Sequence, residues 1–246
     1  MPTARSRLLF LALLTVARPV VAGESPLDRP LQMLAESRQA LAGVRDYTGT
    51  MIKQERLNGK LQTPHIIQLA VRQQPFSVML KWLEPQGLSG QMACYVEGWN
   101  NGRMRVKSPG LLRVAGFVSV QVNDPRGRQH SNHTIKEVGL AYLLEQFAAQ
   151  WEKERSLGQG TKVRIGEYEY ARRRCWRIET WHDRPDPAFV CYRGVLYIDK
   201  ETKLPIRAEL YDWPRTGGPA GGELIEVYSY INLQFNVGLG DNHFKK

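Results

Sequence analysis

The chain has 246 residues, 34 of them basic and 24 acidic, giving a formal net charge of +10. No charge block or low-complexity linker divides it, and beyond the first residues no apolar stretch reaches the length of a membrane span, so an integral membrane protein is not expected. Its three cysteines, Cys94, Cys175 and Cys191, allow one bridge in an oxidising compartment and leave one thiol over.

The chain opens with Arg5 and Arg7, a short apolar run from Leu8 to Ala17, and Val20-Val-Ala22 before Gly23. A basic start, a short apolar core and small residues before a cut form a secretory signal, residues 1–22, cleaved after Ala22. Its removal takes away Arg5, Arg7 and Arg18 and lowers the charge from +10 to +7. Residues 23–246 then read as one domain, periplasmic or secreted. With no cysteine at the cut, an acylated N-terminus is not expected.

A helix comes first, with Leu31, Leu34, Leu41 and Val44 near helical spacing, Pro30 early and Gly43 at its end. From Asp46 the apolar period becomes two. That arithmetic turns Ile67, Leu69 and Val71 inward on one strand. It does the same for Val78, Leu80 and Trp82 on the next, and for Met92, Cys94 and Val96 on the third. Arg103, Arg105 and Lys107 then form a cationic stripe.

Thr134 and Glu137 have the form of a capping box, and Leu140, Leu143, Leu144, Phe147 and Trp151 follow as the apolar stripe of a helix of about five turns. The β pattern resumes to the C-terminus. Ile206, Ala208 and Leu210 make one inward row, and Ile225, Val227, Ile231, Leu233 and Phe235 the last. The total is about eleven antiparallel strands and two amphipathic helices, a mainly β fold whose sheet must curl around something.

No nucleophile elbow, phosphate loop or paired-cysteine metal motif is present, so no catalytic residue, cofactor or metal is expected. His130 and His133 sit in a polar loop without further ligands at readable spacing. His182, Asp183 and Asp186 lie among turn-forming prolines and read as a turn before they read as an acid/base set. The run Arg172 to Arg174 reads as a solvated face, and nucleic acid is a poor partner for an exported protein. Cys175 and Cys191 share a face by parity and are candidates for a bridge, with Cys94 a buried thiol.

Val44-Arg-Asp-Tyr-Thr48, Gln74-Pro-Phe-Ser-Val78, the turn from His182 to Pro187, Tyr197-Ile-Asp-Lys200 with Lys203-Leu-Pro205, and Tyr211-Asp-Trp-Pro214 occur in this order. With the ending Tyr228 to Asn232, Asn236 to Leu239 and Asp241 to Phe244, they resemble the bacterial family called domain of unknown function 1571. That family is similar in outline to the lipoprotein carrier LolA, its receptor LolB and the envelope-stress sensor RseB. The resemblance implies an open antiparallel half-barrel wrapped on helices, with an apolar cavity that takes acyl chains. No catalytic residue carries over, and a LolB-like anchored role is not expected.

The expected function is therefore a soluble periplasmic binding or carrier protein for a lipid, an acyl chain or a lipoprotein. Its cavity would be lined by Val78, Leu80, Trp82, Val96, Leu144, Phe147, Trp151, Ile206, Leu210, Ile225 and Val227. The alternative is a non-enzymatic sensor or interaction module, its half-barrel fully packed and its partner another envelope protein.

Overall fold

The computed structural model describes residues 25–110 and 116–245; the expected signal segment, residues 1–22, and its expected cut lie outside the described residues. The first half of the sheet comprises β1 (Asp46–Leu57), β2 (Lys60–Leu61), β3 (His65–Arg72), β4 (Ser77–Glu84), β5 (Met92–Val96), β6 (Met104–Lys107) and β7 (Val118–Val120). The second half comprises β8 (Thr161–Tyr170), β9 (Arg173–His182), β10 (Arg193–Asp199), β11 (Pro205–Tyr211) and β12 (Leu224–Phe235). All pairings are antiparallel, and the order is β7-β6-β5-β4-β3-β1-β12-β11-β10-β9-β8, with β2 added to β1. Among the described residues the sheet has twelve strands, against about eleven expected.

Each half is a meander, and the β1–β12 ladder joins them. The sheet therefore ends on β7 at one side and β8 at the other, and residues 121–160 must travel between these edges. They cross the inner face. Two long helices lie there, α1 (Asp28–Ala42) and α3 (Leu140–Leu157), with two short ones elsewhere, α2 (Pro125–Arg128) and α4 (Asp241–Lys245). Leu31, Leu34 and Leu41 of α1 are buried as the spacing predicts, and so are Leu140, Leu143, Leu144, Phe147 and Trp151 of α3. Phe147 and Trp151 meet edge to face at 5.3 Å.

The start of α3 differs from expectation. The capping box of Thr134 and Glu137 is present, but it closes a single 3-10 turn, Ile135–Glu137. Gly139 then turns the chain with φ of 107°, and α3 begins at Leu140. The free backbone donors at this end are met by two buried tyrosines. Leu140 N–H donates to Tyr47 Oη at 2.9 Å and Gly139 N–H to Tyr230 Oη at 3.2 Å. A Cβ on Gly139 would stand 2.5 Å from Tyr47 Oη, so this anchor excludes a side chain.

Several inward rows are corrected. On β5, Ala93 and Tyr95 face the helices, while Met92, Cys94 and Val96 face outward into a second cluster with Ala70, Met79 and Phe244. Phe244 of α4 covers that outer side, so β5 is apolar on both faces and its alternation carries no phase. On β12 the inward residues are Tyr228 and Tyr230, which puts Val227 on the opposite face by parity, while Ile225 falls at a register shift of the β11–β12 ladder and lies outside the inner core. A register shift between Thr48 and Thr50 of β1 then brings Phe235 inward, with Leu233 packed against both the inner core and the outer cluster. A second shift, on the β10–β11 ladder, leaves Ile206 in an outer cluster with Cys175, Val195 and Tyr197, while Ala208 and Leu210 stay inside.

The cysteine pairing is also corrected. Cys94, Cys175 and Cys191 are all free and buried. Cys175 lies opposite Asp199, whereas Arg193 lies opposite Trp181, so Cys175 and Cys191 stand at opposite ends of the β9–β10 ladder. Parity along paired strands does not give proximity.

Candidate functional site

Two coverings divide the inner face. Helix α3 lies over one part and fills it. Residues 121–138, an irregular strap between β7 and α3, cover the other. Beneath the strap is a cleft of about 570 Å³. Its apolar wall is built by Met51, Ile67, Leu80, Trp82, Ala93, Met104, Val106 and Val120 from β1 and β3–β7, with Val122, Ile135 and Val138 from the strap.

Of the expected lining residues, Leu80 and Trp82 are in this wall. Val78, Leu144, Phe147 and Trp151 are packed core, and Leu210 packs against that core. Val96, Ile206 and Val227 lie on the outer side, for the reasons of register given above, and Ile225, at the register shift of the β11–β12 ladder, is not among the residues lining the cleft. Met104 and Val106, passed over as the residues between cationic neighbours, turn into the cleft. The stripe itself is outside: Arg105 donates to the Phe244 carbonyl, and Arg105 and Lys107 stand over the Phe117 ring at 5.2 and 5.8 Å.

At one end the inner face turns polar. On the inward parity of β1, Tyr47 and Met51 give way to Lys53 and Glu55, both buried. Lys53 Nζ donates to Glu55 Oε2 at 2.7 Å and to Ser131 Oγ at 2.8 Å. Glu55 Oε1 accepts from Ser131 Oγ and from Asn132 N–H, both at 3.0 Å, and from the Tyr228 hydroxyl. Asn132 Nδ2 donates to Glu226 at 3.0 Å, and His133 Nε2 meets the same carboxylate at 3.0 Å. The strap is thus fastened to β1 and β12 by side chains whose partners lie some distance away in sequence.

The electrostatics follow from this fastening. Burial acts to raise the Glu55 carboxyl, but the Lys53 charge and the hydrogen bonds from Lys53, Tyr228 and Ser131 hold it below its ordinary value. Burial likewise opposes a charge on His133, yet the Glu226 hydrogen bond and charge, with Glu55 and Glu137 behind them, lift its pKa above the usual histidine value. Tyr228 is pushed well up by burial and by Glu55 and Glu226.

Ligand atoms of Glu55, His133 and Glu226 lie within 4.8 Å of one another, a spacing that could hold a cation. Lys53, however, already sits against Glu55, and His133 and Asn132 against Glu226. These residues form an ion-pair network in which a cation would have to displace Lys53. His130 lines the cleft separately.

The turn after β9 is structural. Asp186 Oδ1 caps Ala188 N–H at 2.8 Å, Asp183 pairs with Lys162 at 2.6 Å, and His182 is buried and stacked on Phe189 at 3.7 Å. In the run Arg172 to Arg174, Arg173 pairs with Asp199 and Arg174 with Glu167. Among the described residues, no helix is long and apolar enough to cross a membrane.

Solved structures with a similar course include an uncharacterized conserved protein from Thermus thermophilus, 12% identical over 89% of this chain and 94% of that one, with a TM-score of 0.49. The lipoprotein LppX of Mycobacterium tuberculosis is 12% identical over 87% and 98%, with a TM-score of 0.49. A LolA superfamily protein from Nitrosomonas europaea is 11% identical over 87% and 96%, with a TM-score of 0.41. At this level the likeness carries no argument about what the chain binds. No curated protein matches the sequence. Residues 44–246, from the end of the first helix through the whole sheet to α4, match the family described as "Protein of unknown function (DUF1571)", and the chain belongs to that family.

Proposed function

We propose that the chain is a non-enzymatic periplasmic binding or carrier protein that takes an acyl chain, free or as part of a lipid or lipoprotein, into the cleft beneath the strap. The observation that carries this reading is the apolar wall of a cleft of about 570 Å³, a size within the range of about 300–1,000 Å³ typical of small-molecule sites. Burying about ten methylenes there would contribute about 8 kcal/mol, the scale of micromolar affinity, before the cost of ordering the chain. The N-terminal signal pattern supports export. A fully packed interaction module needs no such volume, so the cleft favours the carrier over that alternative.

The test is mass spectrometry of organic-extractable material from the periplasmically expressed protein, with a fluorescent fatty acid titrated into the delipidated sample. The reading expects an acyl species to co-purify and the probe to saturate. Filling the cleft with Val120→Trp should lower both. A folded, delipidated protein that binds no probe would turn the assignment to an interaction role.

A further inference from the structure

The cleft has a chemical polarity at one end that narrows what it accepts, given the acyl-binding reading above. In the sheet register Lys53 lies directly opposite His65 on β3 and opposite Tyr228 on β12, so three polar side chains cross the inner face in one row. Directly opposite residues of antiparallel strands have Cβ atoms about 5 Å apart. All three line the cleft.

The hydrogen bonding of this row leaves donors without acceptors. An ammonium donates three bonds. The Lys53 side chain, 8% exposed, has two acceptors among the described residues, Glu55 Oε2 and Ser131 Oγ, which leaves one N–H unmatched. Glu55 itself already accepts from Lys53, Ser131, Asn132 and Tyr228. His65 Nδ1 accepts from Trp82 Nε1 at 3.2 Å, which places the proton of a neutral imidazole on Nε2 and makes that atom a donor too. Burial, then the nearby Lys53 charge, holds the His65 pKa below its ordinary value, so near neutral pH it is this neutral tautomer that the cleft meets.

We propose that the polar end of the cleft recognises the oxyanion head of a single-chain amphiphile, a carboxylate or a phosphate, through the third Lys53 N–H and the His65 Nε2–H. The tail lies along the wall made by Leu80, Met104 and Val106. An alcohol or an ester offers an acceptor but no charge, and charge-assisted hydrogen bonds are roughly twice as strong as neutral ones. The site therefore ranks ligands of equal chain length by the charge of the head.

Full-length mature protein, delipidated, is titrated with palmitate, hexadecyl phosphate and hexadecanol by displacement of a fluorescent probe. The expected result is that at least one oxyanion binds about tenfold or more tightly than hexadecanol, since a gap of about 1.4 kcal/mol is a factor of ten. The tighter of the two identifies the head as carboxylate or phosphate. In the double variant Lys53→Met, Glu55→Gln, which leaves no buried charge unpaired, the preference should fall to within about twofold while hexadecanol still binds. His65→Phe, which keeps the ion pair, should lower the preference part of the way. Equal binding of all three ligands to the wild type, or a preference unchanged in both variants, overturns the oxyanion assignment. If none of the three ligands binds, the acyl reading itself fails.

Discussion

The two coverings of the inner face show what regular and irregular structure each do with an apolar surface. Helix α3 presents Leu140, Leu143, Leu144, Phe147 and Trp151 as one stripe, and that part of the face is packed core. The strap has no periodic stripe. It places Val122, Ile135 and Val138 among polar residues, and its fastening is a network of Glu55, Ser131, Asn132, His133 and Glu226. A helix can interdigitate with a sheet to native density, whereas a polar strap roofs it and leaves volume below. On this account stability resides under α3 and binding under the strap.

The largest expected effect lies on the packed side. Phe147→Ala should cost about 3–5 kcal/mol in chemical denaturation, because its ring is buried against Trp151, and should leave acyl affinity nearly unchanged in the folded fraction. A small loss of stability with a changed uptake would make α3 a lid and break the division. Next comes the anchor of that helix. Tyr47→Phe removes the acceptor of the Leu140 N–H and should cost about 1–3 kcal/mol, measured in the same way.

On the roofed side the sign reverses. Trp82→Ala removes part of the cleft wall from a half-buried position, and we expect about a tenfold loss of fatty-acid affinity with a smaller change in stability. Leu210→Ala, against the packed core, should do the opposite.

The smallest effect concerns the fastening of the strap and pH. His133 faces Glu226 on β12, Glu55 on β1, Glu137 in the strap and Tyr142 on α3. Its folded pKa is raised, so the contribution of the pair is complete below the unfolded value of about 6.5 and is lost as pH rises through the raised folded value. Hydrogen exchange at Ser131 to Thr134, corrected for its intrinsic pH dependence, should therefore show more protection at pH 6 than at pH 8. His133→Gln should remove the difference.

The packed side was legible because its signals are local. The α3 stripe repeats within one segment, and Leu69, Val71 and Val78 keep a period of two along β3 and β4, although Ala70 and Met79 between them are apolar as well. The roofed side was less so. Lys53 and Glu55 sit at inward positions of β1 where parity asks for apolar residues, and their partners Ser131, Tyr228 and the strap are close only after the sheet has formed. Charges at inward parity on β1, with Glu226 and Tyr228 likewise on β12, were the one available signal. Val96 failed for a different reason, since a strand covered on both sides by the core and α4 has no polar face to set its phase. Ile206 and the β12 row failed because register shifts on β11 and β12 move side chains between faces without a mark in the composition.

The central claim, that the cleft under the strap and not the face under α3 takes the acyl chain, is tested most directly by photo-crosslinking. A palmitate analogue with a diazirine near the end of its tail would be irradiated with the delipidated protein and the adducts mapped by peptide mass spectrometry. The account predicts adducts on Met104, Val106 or Val120 and on the strap near Ile135. Adducts on Phe147 or Trp151, or on the outer residues Val96 and Ile206, would contradict it.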